Sequence, residues 1–153
     1  MIALPSGQQI RDLGFKALNV LHRSVVRLSG GRLGTRAFGM ELLELHVPGR
    51  TTGILRVTML STPMVQEDGS VILVASKGGD VRDPEWFLNL VAHPQVDLVL
   101  GGVRGTYLAH VLSGEEAECL WPEIVASYGP YGSYRRRAGR EIPVVCCMPI
   151  EPS

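Results

Sequence analysis

Apolar residues recur along this chain with two different periods. Over residues 10–28, Ile10, Leu13, Ala17, Leu18, Leu21, Val25 and Leu28 lie mostly three or four positions apart, which predicts an amphipathic helix ended by Ser29-Gly30-Gly31. From residue 40 the pattern shortens to that of strands. MELLELHV (40–47) sets apolar residues among alternating acids, and LRVTMLSTPMV (55–65) is β-branched up to a turn at Glu67-Asp68-Gly69-Ser70. VILVAS (71–76) is an unbroken apolar run, the pattern of a strand covered on both faces. EWFLNLVAH (85–93) returns to helical spacing between Pro84 and Pro94. VDLVL (96–100) and TYLAHVL (106–112) read as a hairpin joined through Gly101–Gly105. SGEEAECLWPEIVASY (113–128) is a helix capped by Ser113 with acids in its first turn, and IPVVCCMPI (142–150) is a last strand. Short strands with helices at irregular intervals predict a mainly β fold, a barrel with helical decoration. Regular β-α-β alternation is missing, which argues against a Rossmann sheet.

A chain of 153 residues accommodates one domain with a real core. Its 45% hydrophobic and 20% charged content is that of an ordinary globular protein. No apolar run approaches the roughly 20 residues of a membrane-spanning helix, and the first residues lack the pattern of a secretory signal. The expected location is cytoplasmic. The net charge is zero but unevenly spread. Residues 1–36 hold six basic residues against Asp12, a net +5, which leaves −5 for the rest. The chain therefore divides into a basic amphipathic segment with its linker (1–36) and a barrel domain (37–153). The helix either packs on its own barrel or lies on an anionic membrane surface through residues 8–28. Cys119, Cys146 and Cys147 read as buried, reduced cysteines, with no spacing that suggests a metal site. Acids balance bases and no RNA-binding or helix-turn-helix signature appears, so nucleic acid is not an expected partner. None of the four histidines has a nucleophile motif nearby.

Three stretches carry candidate chemistry. Lys77 is followed by Gly78-Gly79, so backbone N–H groups can approach a ligand beside a positive charge, an arrangement suited to phosphate or carboxylate oxygens. PGRTTGILR (48–56) offers Arg50, Thr51, Thr52 and Arg56 as donors around two glycines, without the spacing of a Walker loop. YGPYGSYRRRAGREIP (128–143) places Tyr128, Tyr131 and Tyr134 three residues apart, so one helical turn or a compact loop brings them to one face. They are either a packed aromatic cluster or a substrate wall of phenol donors. Arg135, Arg136 and Arg137 read as a solvated face.

With PGRTTGILRVTML, VASKGGDVRDPEWFLNL, AHPQV, LWPEIVASYGPYGSY and REIPVV, the chain resembles the deazaflavin-dependent nitroreductase family from about residue 40 to residue 148. The resemblance implies a split β-barrel of the FMN-binding type, with the N-terminal amphipathic helix and two further helices. It implies coenzyme F420, with FMN ranked behind it. The implied activity is hydride transfer from the reduced deazaflavin to a small-molecule acceptor: a quinone, an activated enone or a nitroaromatic. A non-catalytic F420- or lipid-binding carrier and an FMN-binding relative are the alternatives, as monomer or homodimer. Carried over by position, the coenzyme would meet Arg50, Thr51, Thr52, Arg56, Val57, Thr58, Met59, Leu60, Ala75, Ser76, Lys77, Gly78, Trp86, Asn89 and Tyr131. Tyr128 and Tyr134 would line the acceptor side, and Tyr131 or Tyr134 would be the catalytic proton donor. The chain departs from the family pattern at Thr51, where a lysine is usual, at Met59, where proline is common, and at Asp83, where histidine is. A carboxylate at Asp83 near an anionic tail is expected to cost about 1 kcal/mol.

Overall fold

The computed structural model describes residues 36–37 and 39–151. The expected helix over 10–28 lies outside them. In chain order the elements are β1 (Arg36–Ala37), β2 (Met40–Pro48), β3 (Leu55–Thr62), β4 (Met64–Val65), β5 (Val71–Val74), α1 (Glu85–Ala92), β6 (Gln95–Leu100), β7 (Val103–Val111), α2 (Gly114–Ser127), α3 (Pro130–Ala138) and β8 (Val144–Pro149), with a single 3-10 turn at Lys77–Gly79. All pairings are antiparallel. The sheet runs β1-β2-β6-β7-β8-β5-β4, and β3 pairs with β2.

The sheet curls because β3 and β4 are one path broken at Pro63. β3 pairs with β2 from Glu41↔Thr62 to Pro48↔Leu55, whereas β4 pairs with β5 at Met64↔Ile72. The two ends of the sheet thus meet on the same stretch of chain. Proline brings no N–H to a ladder, so a break is where it fits. Thr62 holds the corner: its buried Oγ1 lies 2.7 Å from Ile72 O and 2.8 Å from Met64 O.

Strand alternation then sorts side chains to two cores. Leu43, Leu45 and Val47 of β2, Val71 and Leu73 of β5, Val96 and Leu98 of β6, and Val145 and Cys147 of β8 fill the barrel. Trp86, Phe87 and Leu90 of α1 join that same cluster. Ile72 and Val74 face outward instead, onto Ile124 of α2 and Tyr131 and Ala138 of α3. All four residues of β5 are buried, as the unbroken apolar run requires of a strand covered on both sides. The start of α2 carries a full capping box: Glu116 N donates to Ser113 Oγ (3.2 Å) and Ser113 N to Glu116 Oε2 (2.8 Å).

Three points differ from the sequence expectations. The tyrosine segment is a helix, so the described residues hold three helices rather than two. Pro130 opens it and Gly139, at φ 60°, closes it. Cys119 is exposed on α2 rather than buried. Arg135 and Arg137 are not merely solvated. Arg135 lies 4.6 Å from the centre of the Trp121 ring and pairs with Glu118, while Arg137 Nη1 donates to Gly78 O at 3.2 Å. Among the described residues no helix is long and apolar enough to cross a membrane.

Candidate active site

The β2–β3 turn and α1 form the first part of the site. Gly49 N donates to Ile54 O and Gly53 N to Gly49 O, both at 2.8 Å, and Gly53 adopts φ +68°. The tight fold leaves no room at Gly49, where a Cβ would sit 2.8 Å from Thr52 Oγ1. Thr52 Oγ1 accepts from Ile54 N (3.2 Å), and both Thr51 and Thr52 are exposed. Arg50 is tied to α1: its backbone N and its Nη1 each donate to Asn89 Oδ1 at 3.1 Å, and Nη1 also reaches Glu85 Oε2 at 2.7 Å. Those two donors fix the orientation of the Asn89 amide. Its Nδ2 points the other way, in a residue only 7% exposed, with no hydrogen-bond acceptor among the described residues. A buried donor left unpaired costs about 1–3 kcal/mol. Arg56 folds over the same turn, its Nε 3.6 Å from where a Gly49 Cβ would be, with no acidic partner among the described residues.

The second part is the turn after β5. Lys77, Gly78 and Gly79 all have positive φ (46°, 62° and 83°), closed by Gly79 N→Ser76 O at 2.9 Å. Right-handed Ser76 (φ −77°, ψ −31°) followed by left-handed Lys77 is the αR–αL pair of a backbone anion nest, which turns successive amides to one side. Only Lys77 of the three carries a side chain in this disfavoured region. Gly79 has a second constraint, because a Cβ there would lie 3.1 Å from Tyr134 Cα and 3.2 Å from Tyr134 O. Helix α3 therefore rests directly on the turn. Ser76 is 8% exposed and its hydroxyl has no partner among the described residues. Asp80 caps the far side. Its carboxyl is held down at about 2, first by the Arg82 side chain and then by the Arg82 backbone N–H.

The three tyrosines meet where α2 ends and α3 begins, with Tyr128 as the C-cap of α2 and Tyr131 and Tyr134 on α3. Tyr128 and Tyr131 rings are 5.3 Å apart edge to face, Tyr131 and Tyr134 6.0 Å, and Tyr128 and Tyr134 6.3 Å. The Tyr128 and Tyr134 hydroxyls are 3.4 Å apart. Tyr131 is 4% exposed; burial pushes its phenol up, and a hydrogen bond with Ser61 of β3 pulls the other way. Tyr134 is pushed up to about 12, by burial first and then by its neighbour Tyr128. Both phenols stay protonated at any physiological pH.

These contacts bring Arg50, Thr52, Arg56 and Asn89 together, and join Lys77 and Gly78 to the Tyr134 helix. Tyr131 meets β3 at Ser61. The residues Arg56–Leu60 split by strand alternation. Arg56, Thr58 and Leu60 stand opposite the barrel-filling Val47, Leu45 and Leu43, whereas Val57 and Met59 stand opposite His46 and Glu44 on the other face. Trp86 and Ala75 lie in the barrel core, so Trp86 acts from beneath and Ala75 offers only backbone. Asp83 is not a lone carboxylate: Arg140 Nη1 donates to its Oδ1 at 2.8 Å. Glu85, Arg137 and Arg140 were not legible as site residues, since their partners are distant in sequence. A separate cavity of about 310 Å³, lined by Val111, Glu118, Trp121, Arg135 and Ile142, holds none of these groups, and Glu118 and Trp121 already engage its arginine.

A family model described as F420H(2)-dependent quinone reductase matches residues 19–149. An F420H(2)-dependent quinone reductase of Mycobacterium tuberculosis (strain ATCC 25618 / H37Rv) is 34% identical over 139 residues, 88% of this chain and 91% of that protein. Among solved structures, an F420-H2 dependent reductase is 34% identical, with a TM-score of 0.61 over 69% of this chain and 92% of its own. A second, described as a domain-swapped dimer, is 32% identical, with a TM-score of 0.65 over 84% of this chain and 96% of its own. With a family match over most of its length and a barrel shared with these reductases, the chain belongs to the F420H(2)-dependent quinone reductase family.

Proposed function

We propose that the protein moves hydride from reduced F420 to a quinone, and that activated enones and nitroaromatics serve as acceptors of the same electron-poor class. The observation that carries this reading is the Asn89 amide: the residue is buried beside Arg50, its Nδ2 has no acceptor among the described residues, and Arg56 folds over the same turn. A ligand with both a ring carbonyl and an anionic tail meets those needs together, and F420 is such a ligand. When bound, the reduced coenzyme supplies hydride from carbon C5 of its ring.

This chain's own residues bind, orient and polarise. Arg50, Arg56, Lys77 and the amide of Gly78 hold anionic oxygens, and Thr51 and Thr52 add hydroxyl donors at the first turn. Val57, Thr58, Met59 and Leu60 shape the strand along the ring. Ser76 and Asn89 hydrogen-bond its polar edge, and Trp86 stiffens α1 from within the core. Tyr131, buried in the outer core against β5, fixes the wall on which Tyr128 and Tyr134 present their hydroxyls. With its pKa at about 12, Tyr134 is a poor proton source and a persistent hydrogen-bond donor. Its role is to donate to the acceptor oxygen as negative charge grows there, and the proton itself arrives from solvent. We further assign residues 1–36 to a basic segment distinct from the barrel domain 37–153, with residues 8–28 meeting anionic lipid from the cytoplasmic side.

Fluorescence titration with oxidised F420 and with FMN tests the coenzyme, and oxidation of reduced F420 by menadione tests the reaction. We expect at least tenfold preference for F420 and measurable turnover. Equal or tighter FMN binding, or F420 binding without hydride transfer to any acceptor, overturns the proposal.

A further inference from the structure

We propose that Arg140 is the positioning residue of the anion-binding turn, an inference that rests on the coenzyme reading of Lys77 and its glycines. A guanidinium has five N–H donors in one fixed fork. In Arg140 each has an acceptor: Nε donates to Asp80 O (3.1 Å), Nη1 to Asp83 Oδ1 (2.8 Å) and Glu141 O (3.1 Å), and Nη2 to Ala75 O (3.2 Å) and Arg82 O (2.9 Å). Four of these acceptors lie between residues 75 and 83. They bracket the turn, with Ala75 before it and Asp80, Arg82 and Asp83 after it.

Helix α3 supports the turn from one side, at Gly79 and through Arg137. Among the described residues two backbone hydrogen bonds close it, Gly79 N→Ser76 O and Asp80 N→Lys77 O, the second at 3.2 Å. Gly78 and Gly79 take the left-handed region freely, but the Lys77 side chain disfavours it there, at φ 46°. Something must over-determine such a segment for it to persist, and the Arg140 fork clamps the chain on both sides of it, at Ala75 before and at Asp80, Arg82 and Asp83 after. The fork also ties it to the C-terminal side of α3, because Arg140 follows Gly139 directly and Arg137 reaches Gly78 O from the same helix. The Lys77 nest and the Tyr134 hydroxyl are thereby held in one frame. A lysine at position 140 would keep the charge for Asp83 but would lose the planar fork.

Arg140→Lys is the test, read in three ways on the full chain. Hydrogen exchange without coenzyme should show amides 76–80 losing protection while β6 and β7 keep theirs. The dissociation constant for oxidised F420 should rise about tenfold or more, the loss of at least one charge-assisted contact at the nest. The KM for reduced F420 should rise with it while kcat stays within about twofold. Lys77→Ala should then cost less in the Arg140→Lys background than alone, because a displaced nest no longer presents that lysine. Unchanged exchange and affinity overturn the proposal. So does a uniform loss of protection with normal affinity in the folded fraction, which would make Arg140 a general stabiliser. If wild-type protein binds no F420, the coenzyme reading falls, and the exchange pattern alone decides whether Arg140 orders the turn.

Discussion

Gly79→Ala is the substitution for which the structure gives the clearest magnitude. Two costs combine at this position. The backbone sits at φ +83°, where a Cβ costs roughly 1–2 kcal/mol. The added methyl would also meet Tyr134 Cα at 3.1 Å and Tyr134 O at 3.2 Å. Those atoms are helix backbone and cannot rotate aside, so α3 must shift by a few tenths of an ångström, an overpacking cost of roughly 1–3 kcal/mol. Together they predict a loss of about 2–5 kcal/mol. Gly101→Ala supplies the control. It shares the positive φ, at +57°, but nothing lies within 4 Å of its Cβ position. Its loss should be roughly 1–2 kcal/mol. The reduced unfolded-state entropy of alanine affects both variants and cancels in the difference. Urea unfolding of the two variants measures that difference directly. The same displacement should lower menadione turnover in Gly79→Ala and leave it unchanged in Gly101→Ala, because only Gly79 supports the helix that bears Tyr134. Equal losses in the two variants would refute direct support of α3 by the turn.

Other expectations follow from single residues. Tyr134→Phe removes the hydroxyl donor and should cut turnover of a quinone by roughly 10²-fold, with F420 affinity within about threefold; turnover near wild type would move the donor role elsewhere. Asp80, whose carboxyl is held at about 2 by Arg82, lends stability that is complete above its unfolded pKa, near 3.8, and is lost as pH falls toward 2. Asp80→Asn should therefore flatten acid denaturation in that window, as followed by circular dichroism. Removing residues 1–36 strips five net positive charges and should abolish sedimentation with anionic vesicles while leaving the barrel folded. Full-length protein that ignores such vesicles would show that the segment serves the protein itself.

The barrel was legible in the sequence because its signals are local. Strand alternation, the unbroken run of β5, Pro84 ahead of α1 and the Ser113–Glu116 box each lie within a few residues of the structure they specify. Helix α3 was harder to read. Gly129, Gly132 and a run of three arginines suggest a loop, and only Pro130 and Gly139 mark its ends. Tertiary contact decides it: Tyr131 and Ala138 are buried under the β5 side of the barrel, and burial stabilises a short helix that propensity alone does not. The polar site was legible where residues act through their own chemistry, as with Arg50, Lys77 and Asn89. Arg140 was invisible because three of its five partners are backbone carbonyls 58–65 residues away, and carbonyls leave no trace in a sequence.

The same limit explains Asp83 and Glu85, which look equivalent on either side of Pro84 and behave oppositely in the fold. By charge alone, each carboxylate repels an anionic coenzyme, and neutralising either should tighten binding. Their partners reverse that for one of them. Asp83 pairs with Arg140, and this carboxylate is one of the anchors that hold the Lys77 turn. Glu85 pairs with Arg50 at 2.7 Å and occupies a cation that the coenzyme also needs. That second pair is mostly solvent-exposed, so its strength is at most about 1 kcal/mol. Glu85→Gln should therefore strengthen F420 binding by about twofold to fivefold at low salt, an effect that fades as screening weakens the competing pair. Asp83→Ala should weaken binding by about threefold or more, because Arg140 loses its one charged partner among the described residues and the turn loses an anchor. Titration of both variants at low and at high salt separates local geometry from net charge. Tighter binding in both would mean that simple repulsion governs this segment and that the Asp83–Arg140 pair contributes nothing to the site.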